Sequence, residues 1–434
     1  MSNYIVAIDL GTTKVVSIAG EKIDGGLYRI LAYGETPSEG IRRGQVENID
    51  SVTSAVIPTL NDIKAKMGIT EIKNVYVGIA GQNITCIENR TEKIRDKYDE
   101  IITEAEIKSL EADARKLHLN PGNEVLHAVS KTYSIDETHG ITDPVGRLGH
   151  KLTGHFLVII GKEATRIHTD VCMRNLNLSL QKLILEPIAS ARATLSEEER
   201  EMGVAMIDMG GGTTDLIVYN EGTVKHTAVI PFGGNVITSD IKNGCGILFA
   251  QAEKAKIKYG SCTPPVHDNQ VVVVPGINGR PSREIRLSAL TSIINHRLNE
   301  IIDMVMKEIE RGDCGRLNAG IVITGGVAKM SGIETFLRAK TKMDVKTGKP
   351  DYVSADSPEE IRHPKYSTAV GLIMCGFDYQ ENSATVTPFE PVPEIPDPDP
   401  NPEPVKTGSI KHFWELFKSW IKEFMNPQQE EKND

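Results

Sequence analysis

The chain lacks most of the features that would place it quickly. Its six cysteines (Cys86, Cys172, Cys245, Cys262, Cys314 and Cys375) contain no CxxC pair. That argues against a disulfide framework and a cysteine zinc site, and reduced thiols in a cytosolic protein are expected. The eleven histidines show no metal-ligand spacing. No run reaches the roughly 18 apolar residues that cross a bilayer. MSNYIVAIDLG enters a strand directly, without the basic start and apolar core of a signal peptide. Positive charge is not in excess: the net charge is −10 over 434 residues, which disfavours a nucleic-acid surface. No GxxxxGK[ST] P-loop is present. Aromatic residues are only 5% of the chain, and both tryptophans fall near its C-terminal end.

What is present is one pattern written twice. IVAIDLGTTK, Ile5 to Lys14, and VAMIDMGGGTTD, Val204 to Asp215, each run from apolar residues to a lone Asp and then a Gly-Thr-Thr turn. Each is followed by a second apolar run, so each predicts a β-hairpin. Such a turn exposes backbone N–H groups and hydroxyls, which are phosphate donors. An Asp at the strand end, Asp9 or Asp208, can hold Mg²⁺, usually through water. Two turns face to face would clamp a nucleotide phosphate chain. A strand follows each turn, so a helix dipole is not the main phosphate binder. A third candidate is IVITGG, Ile321 to Gly326, followed by VAKMSGIETFL. It reads as a strand ending in Gly325 and Gly326 and a helix from Val327 through about Lys340; bare glycines let backbone pack on a flat base or ribose.

Between these motifs the chain alternates strand and helix signals. Val52–Gly68 has helical spacing and ends at Gly, and Asn74–Gly81 reads as a buried strand. From about Cys86 to Gly161 the texture changes. A charged segment, Glu88–Glu106, leads into the helix TEAEIKSLEADARKLHL with a Thr103/Glu106 capping box, and two strands follow. This predicts a small inserted α+β unit. Further helices are expected over AQAEKAKIKYG, LSALTSIINHRLNEIIDMVMKEIERG and TAVGLIMCG, with a strand at QVVVVPGI.

Composition breaks at Ser383. Eight of the 22 prolines lie between Thr387 and Val405 among acids, which predicts an extended linker. At about 3.1 Å per residue it reaches on the order of 60–80 Å. The segment SIKHFWELFKSWIKEFM, Ser409 to Met425, places Ile410, Phe413, Trp414, Phe417, Trp420, Ile421, Phe424 and Met425 on one helical face. Lys411, Lys418 and Lys422 flank it, where they can snorkel. This reads as an interfacial membrane anchor; a helix docked on the protein's own core and a partner-binding helix are the alternatives.

The paired Gly-Thr turns and the IVITGG strand resemble the superfamily of actin, the DnaK-type chaperones and the sugar kinases, in which two α/β lobes close on ATP. SEGIRRGQVENID, VYVGIAGQNI, VLHAVSKTYSIDETHGITDPVGRLGHKL, FGGNVITSDI, AEKAKIKYG and HPKYSTAVGLIMCG narrow the likeness to the FtsA family of bacterial division proteins, over essentially the whole chain. The resemblance implies an α/β, actin-like two-lobe ATPase fold with an inserted α+β subdomain, a Pro-rich linker and a C-terminal amphipathic helix. It divides the chain into lobe 1 (1–85, 163–200 and a final helix at 359–382), an inserted subdomain (86–162), a lobe 2 core (201–240 and 313–358), a lobe 2 outer subdomain (241–312), a linker (383–408) and the helix (409–426). ATP would be held by Gly11, Thr12, Thr13 and Lys14, by Gly210, Gly211, Gly212, Thr213 and Thr214, by Glu253 and Lys256 at the ribose and adenine, and by Gly325, Gly326 and Val327. Asp9 and Asp208 would lie near hydrated Mg²⁺. Glu186 in LEPIASA matches a water-positioning glutamate; a structural helix-start residue is the plain alternative. A solvated turn lysine is the alternative for Lys14, and a surface helix for Glu253 and Lys256. The implied function is an ATP-binding protein, hydrolysing slowly at most. It would polymerise with itself at the inner face of the cytoplasmic membrane, at the division septum. There it would bind lipids, anionic ones expected, tether FtsZ and meet other division proteins. A small-molecule kinase, a DnaK-like chaperone and an MreB-like cytoskeletal ATPase share the clamp; the kinase lacks a candidate catalytic Asp, the chaperone lacks its substrate domain, and MreB would not explain the inserted unit or the anchor.

Overall fold

The computed structural model describes residues 4–383, apart from 82, 266 and 268. All but Ser383 belong to one unit, Met1–Asn382; a second, Ser383–Asp434, holds the linker and tail, and the readings of those segments lie outside the described residues.

The chain opens as a meander: β1 (Tyr4–Leu10), β2 (Lys14–Lys22) and β3 (Tyr28–Pro37), each antiparallel to the last. The short β4 (Ile41–Arg42) and β5 (Gln45–Val46) lead into α1 (Ile49–Met67). Asn48 caps that helix by accepting the Ser51 N–H, and Gly68 ends it at φ +67°, as the left-handed position requires. β6 (Asn74–Ile79) then lies parallel to β1. β1 is buried on both faces, which is why its sequence is a continuous apolar run rather than an alternation.

The inserted region contains β7 (Thr85–Ile94), α2 (Glu104–Ala114), β8 (Asn123–Ile135), β9 (Thr138–Ile141) and β10 (Lys151–Lys162). They form a separate sheet in the order β7-β10-β8-β9. The Thr103/Glu106 capping box is present. Two details differ from the sequence reading. Part of the charged stretch from Glu88 is strand β7, an edge strand with one face in water, and α2 stops at Ala114, before the apolar Leu117 and Leu119 turn down onto the small core.

The chain returns through α3 (Glu163–Asn175), β11 (Ser179–Leu185) and α4 (Glu186–Thr194), then α5 (Glu197–Met202). A second meander follows: β12 (Val204–Met209), β13 (Thr214–Asn220) and β14 (Thr223–Ile230). Next come α6 (Gly234–Cys245), α7 (Phe249–Tyr259), the ribbon β15 (Val271–Val274) and β16 (Arg283–Arg286), and α8 (Leu287–Arg311). α8 buries Leu290, Ile294, Leu298, Ile301, Ile302, Val305 and Ile309 on one stripe, each contributing about 1.5–3 kcal/mol of transfer free energy. β17 (Gly320–Thr324), α9 (Ile333–Thr341), β18 (Val345–Thr347) and α10 (Ser367–Ser383) complete the unit. The helix expected from Val327 through about Lys340 is broken: a 3-10 turn covers Val327–Lys329, and Gly332 at φ +76° restarts the chain as α9.

The two large sheets follow one plan. The first runs β11-β6-β1-β2-β3 and the second β18-β17-β12-β13-β14. In each, a hairpin meander is extended on one side by two parallel strands. α4 and α10 cross where an added Cβ on Gly371 would overlap the Ala189 carbonyl oxygen and stand 2.9 Å from Ala189 Cα. That backbone approach is open only to glycine.

Candidate functional site

The shared plan puts the two Gly-Thr turns in the same place on their sheets, at the tips of the β1–β2 and β12–β13 hairpins. The structure brings these tips into contact. A Cβ added to Gly211 would overlap the Thr13 methyl and stand 3.0 Å from its hydroxyl oxygen, and one added to Gly212 would overlap Thr12 Oγ1 and stand 2.7 Å from Thr12 Cβ. The Gly44 amide donates to Thr12 Oγ1 at 3.2 Å. Gly11 is pinned in its own turn: its Cβ would stand 2.8 Å from the Lys14 carbonyl oxygen. Gly210 donates to the Thr213 carbonyl at 3.0 Å. Thr214, which opens β13, donates from its hydroxyl to the Phe232 carbonyl at 2.7 Å.

Lys14 is not a solvated turn lysine. Its ammonium is sealed from water without a hydrogen-bond partner. It sits 3.9 Å from Asp9 Oδ2 and 4.9 Å from the centre of the Tyr366 ring. Burial pushes its pKa down, against the pull of Asp9 and Glu35. A buried ammonium without a hydrogen bond, at a turn of phosphate-binding type, fits an anionic ligand.

Asp9, Asp208, Asp215 and Glu186 are buried carboxylates near enough to sense one another's charge. Asp9 ends β1 and Asp208 ends β12, 5% and 7% exposed. Asp208 accepts from Ser190 at 2.6 Å and Thr368 at 3.0 Å. Asp215 lies directly across the ladder from Asp208, and its Oδ1 has no partner. Glu186 opens α4 and is held over Gly78, whose Cβ would stand 3.1 Å from Glu186 Cγ. Desolvation raises the pKa of all four, with Asp9, Asp208 and Asp215 adding like-charge repulsion to Glu186. Like charges opposed across a ladder are unfavourable. The excess of carboxylates fits a divalent cation, with these groups as outer ligands. Among the described residues no three His, Cys, Asp or Glu groups converge as direct metal ligands.

The remaining wall comes from further along the chain. α6 abuts the second turn: the Gly234 and Asn235 amides donate to the Gly210 and Gly211 carbonyls at 2.9 and 2.8 Å. The first amides of α6 are thus spent on the turn and not free for a phosphate. α7 is a surface helix, but the Lys256 side chain turns inward from it, and burial lowers its pKa. Its ammonium donates to the Gly234 carbonyl at 2.9 Å and Thr238 Oγ1 at 2.8 Å and pairs with Glu253 at 2.8 Å. A Cβ on Gly234 would stand 3.2 Å from both Lys256 Nζ and Val327 Cγ2, so Lys256, Val327 and the second turn meet there. Gly325 adopts φ +87°, and its Cβ would stand 2.6 Å from the Met209 carbonyl oxygen and overlap Asp208 Oδ1. Gly326 has open space beside it. The two turns, Gly325, Val327 and Lys256 therefore meet, with Glu253 joined through Lys256.

Sequence reasoning missed several members. Asp215 stands where the first motif has Lys14, a signal visible in the paired motifs. Ser190 lies in LEPIASA, and Lys365, Tyr366 and Thr368 in HPKYSTAVGLIMCG, stretches that carried the likeness but gave these residues no role; Glu35 lies in neither. Tyr366 donates to Glu35 at 2.7 Å, and Lys365 pairs with Glu35 at 3.0 Å. Ser190 and Thr368 also bond each other, at 3.0 Å.

Two family models match the chain: cell division protein FtsA over residues 205–371 and the SHS2 domain inserted in FtsA over residues 81–160. The chain is 36% identical over 374 residues to the cell division protein FtsA of Neisseria meningitidis serogroup B, covering 85% of this chain and 89% of that one. It is 31% identical over 381 residues to the Escherichia coli FtsA, covering 86% and 90%. Among solved structures, a PilM-PilN type IV pilus biogenesis complex aligns with a TM-score of 0.61 at 14% identity, over 86% of this chain and 98% of that one. MreB5 of Spiroplasma citri bound to ADP aligns with a TM-score of 0.54 at 14% identity, over 88% and 99%. At these identities the structural likenesses establish the actin-like fold alone.

Proposed function

The chain belongs to the FtsA family of cell division proteins, and from that premise we propose that it is an ATP-dependent filament former that ties FtsZ to the inner face of the cytoplasmic membrane. The observation that carries the reading is the apposition of the two Gly-Thr turns, with the Lys14 ammonium sealed beside the first and without a hydrogen bond. ATP would lie between the lobes. Gly11–Lys14 and Gly210–Thr214 would take the phosphates, while Glu253, Lys256 and Gly325–Val327 would border ribose and adenine. Mg²⁺ would sit in the carboxylate cluster, held by Asp9 and Asp208 through water, and would supply the charge neutralisation that the phosphates and four carboxylates lack together. Glu186 would orient the attacking water. Hydrolysis would be slow, because Glu186 alone is placed for that task.

Residues 409–426 would bind lipid as a peripheral amphipathic helix. Single-helix attachment is weak, and a filament multiplies it by avidity. This makes self-association and membrane binding parts of one device at the septum, and other division proteins would join on the same scaffold.

Co-sedimentation with anionic liposomes tests the reading. FtsZ should pellet with lipid only when this chain is present, and more so with ATP than without nucleotide. A Trp414→Glu/Phe417→Glu variant should leave both proteins in the supernatant. FtsZ pelleting equally with that variant would overturn the tether.

A further inference from the structure

A polar contact links the inserted unit to the strand that leads into Glu186. His127 lies on β8, opposite Ile159 of β10. Its Nε2 accepts the Leu185 N–H at 3.1 Å. Leu185 ends β11 and immediately precedes Glu186. β11 is the outer strand of the first sheet and pairs only with β6, where Leu185 stands beside Ile79. On its open side the Leu185 amide would be a buried donor without a partner, which proteins avoid. The imidazole fills that place. Around it, Ile79 and Leu185 of the first sheet, Ile159 of the inserted unit and Val229 of β14 share one buried cluster. Glu186 has little room on its other side, against Gly78.

A ring nitrogen that accepts an amide is the unprotonated one, so His127 is neutral with its proton on Nδ1. Enclosure by protein, with Lys182 and Arg115 nearby, pushes its pKa down to about 3. The acceptor therefore persists throughout the physiological range.

We propose that His127 is a positioning residue for Glu186: through the Leu185 amide, the inserted unit holds the start of α4, and with it the Glu186 carboxyl, in register with the phosphate turns. The inference rests on reading the cleft as an ATP site with Glu186 as its water-orienting group. It makes the inserted unit a lever on hydrolysis rather than on nucleotide affinity. Leu185 adjoins Glu186, whereas the phosphate turns lie on other strands.

The test is single-turnover ATP hydrolysis, with protein in excess over labelled ATP, together with equilibrium ATP binding. Four variants are needed: His127→Leu, His127→Gln, Glu186→Gln and the double His127→Leu/Glu186→Gln. Gln keeps an acceptor near the position of Nε2. Glu186→Gln should slow hydrolysis strongly. His127→Leu should slow it roughly ten- to a hundredfold, the scale of a small misplacement of a reacting group, with ATP affinity unchanged. His127→Gln should restore most of the rate. In the Glu186→Gln background, His127→Leu should add nothing. The inference is overturned if His127→Leu hydrolyses at the wild-type rate while Glu186→Gln is slow, or if it slows the Glu186→Gln protein by its full factor. Wild-type hydrolysis by Glu186→Gln would instead remove the role of Glu186 itself, and the inference with it. If His127→Leu fails to fold, His127→Gln against His127→Asn decides: the shorter amide cannot reach Leu185, so hydrolysis fast with Gln and slow with Asn supports the contact, and equal rates overturn it.

Discussion

The contact between the two turns can be perturbed one methyl at a time. In Gly211→Ala the new Cβ overlaps the Thr13 methyl and stands 3.2 Å from Thr13 Cβ. Carbon atoms rest about 3.5–4.0 Å apart. Clearing the methyl by rotation carries the Thr13 hydroxyl to a new position, and without rotation the turns must separate. Gly211 has no positive φ, so backbone strain does not contribute, and the body of the protein should keep its thermal midpoint. The cost should appear in phosphate binding. Displacing one or two charge-assisted hydrogen bonds removes about 1.5–3 kcal/mol each, a loss of roughly ten- to more than a hundredfold in ATP affinity. Thr13→Ser keeps the hydroxyl and deletes the methyl. Added to Gly211→Ala it should recover about 1 kcal/mol or more, a positive coupling in a double-mutant cycle. Titration with a fluorescent ATP analogue, with calorimetry as a check, measures all four proteins. Unchanged affinity in Gly211→Ala, or strictly additive effects with Thr13→Ser, would refute the face-to-face clamp. Gly211→Asp, with bulk and negative charge against phosphate, should abolish binding altogether.

Further outcomes are expected. Gly371→Ala places a methyl on the Ala189 carbonyl and should destabilise the fold by about 3 kcal/mol, the upper range for overpacking; urea midpoints within error of wild type would contradict the helix crossing. The raised carboxyl pKa values of Glu186, Asp215, Asp9 and Asp208 give a sign for pH. A group that binds its proton more tightly when folded lends stability that is full below its unfolded pKa and is lost as pH rises through the folded value. Without nucleotide, stability should therefore fall from the ordinary carboxylate range toward neutrality, and Asp215→Asn should flatten that fall; denaturant melts across the range, showing the same slope in both proteins, would count against the cluster. Trp414→Glu with Phe417→Glu should release the chain from liposomes without shifting the thermal midpoint of the body. In the parent protein, tryptophan emission, which reports the tail alone, should move to the blue on adding anionic vesicles.

Much of the site was legible because its signals are local. A strand, an Asp and a Gly-Thr-Thr turn form one hairpin whatever surrounds them, and a motif repeated in both halves announces a repeated plan. Capping at Thr103 and Glu106 is equally local, settled within one helical turn. The misses have physical causes. The charged stretch from Glu88 pairs as a strand because an edge strand with one wet face tolerates charge. The helix after Gly326 breaks because Gly332 accepts a left-handed turn that helix periodicity does not register. Tyr366, Thr368, Ser190 and His127 lie in ordinary segments whose partners are distant in the chain.

The sequence by itself determined the two turns, the Asp at the end of each strand and the third glycine pair, because each is set by neighbours a few residues away. Only the tertiary structure decided that Lys14 is sealed from water, that four buried carboxylates crowd one another, that Thr368 and Ser190 hold Asp208, and that His127 holds the residue before Glu186. Those facts depend on which strands and helices become neighbours when apolar faces are buried against one another, and no local pattern encodes that choice.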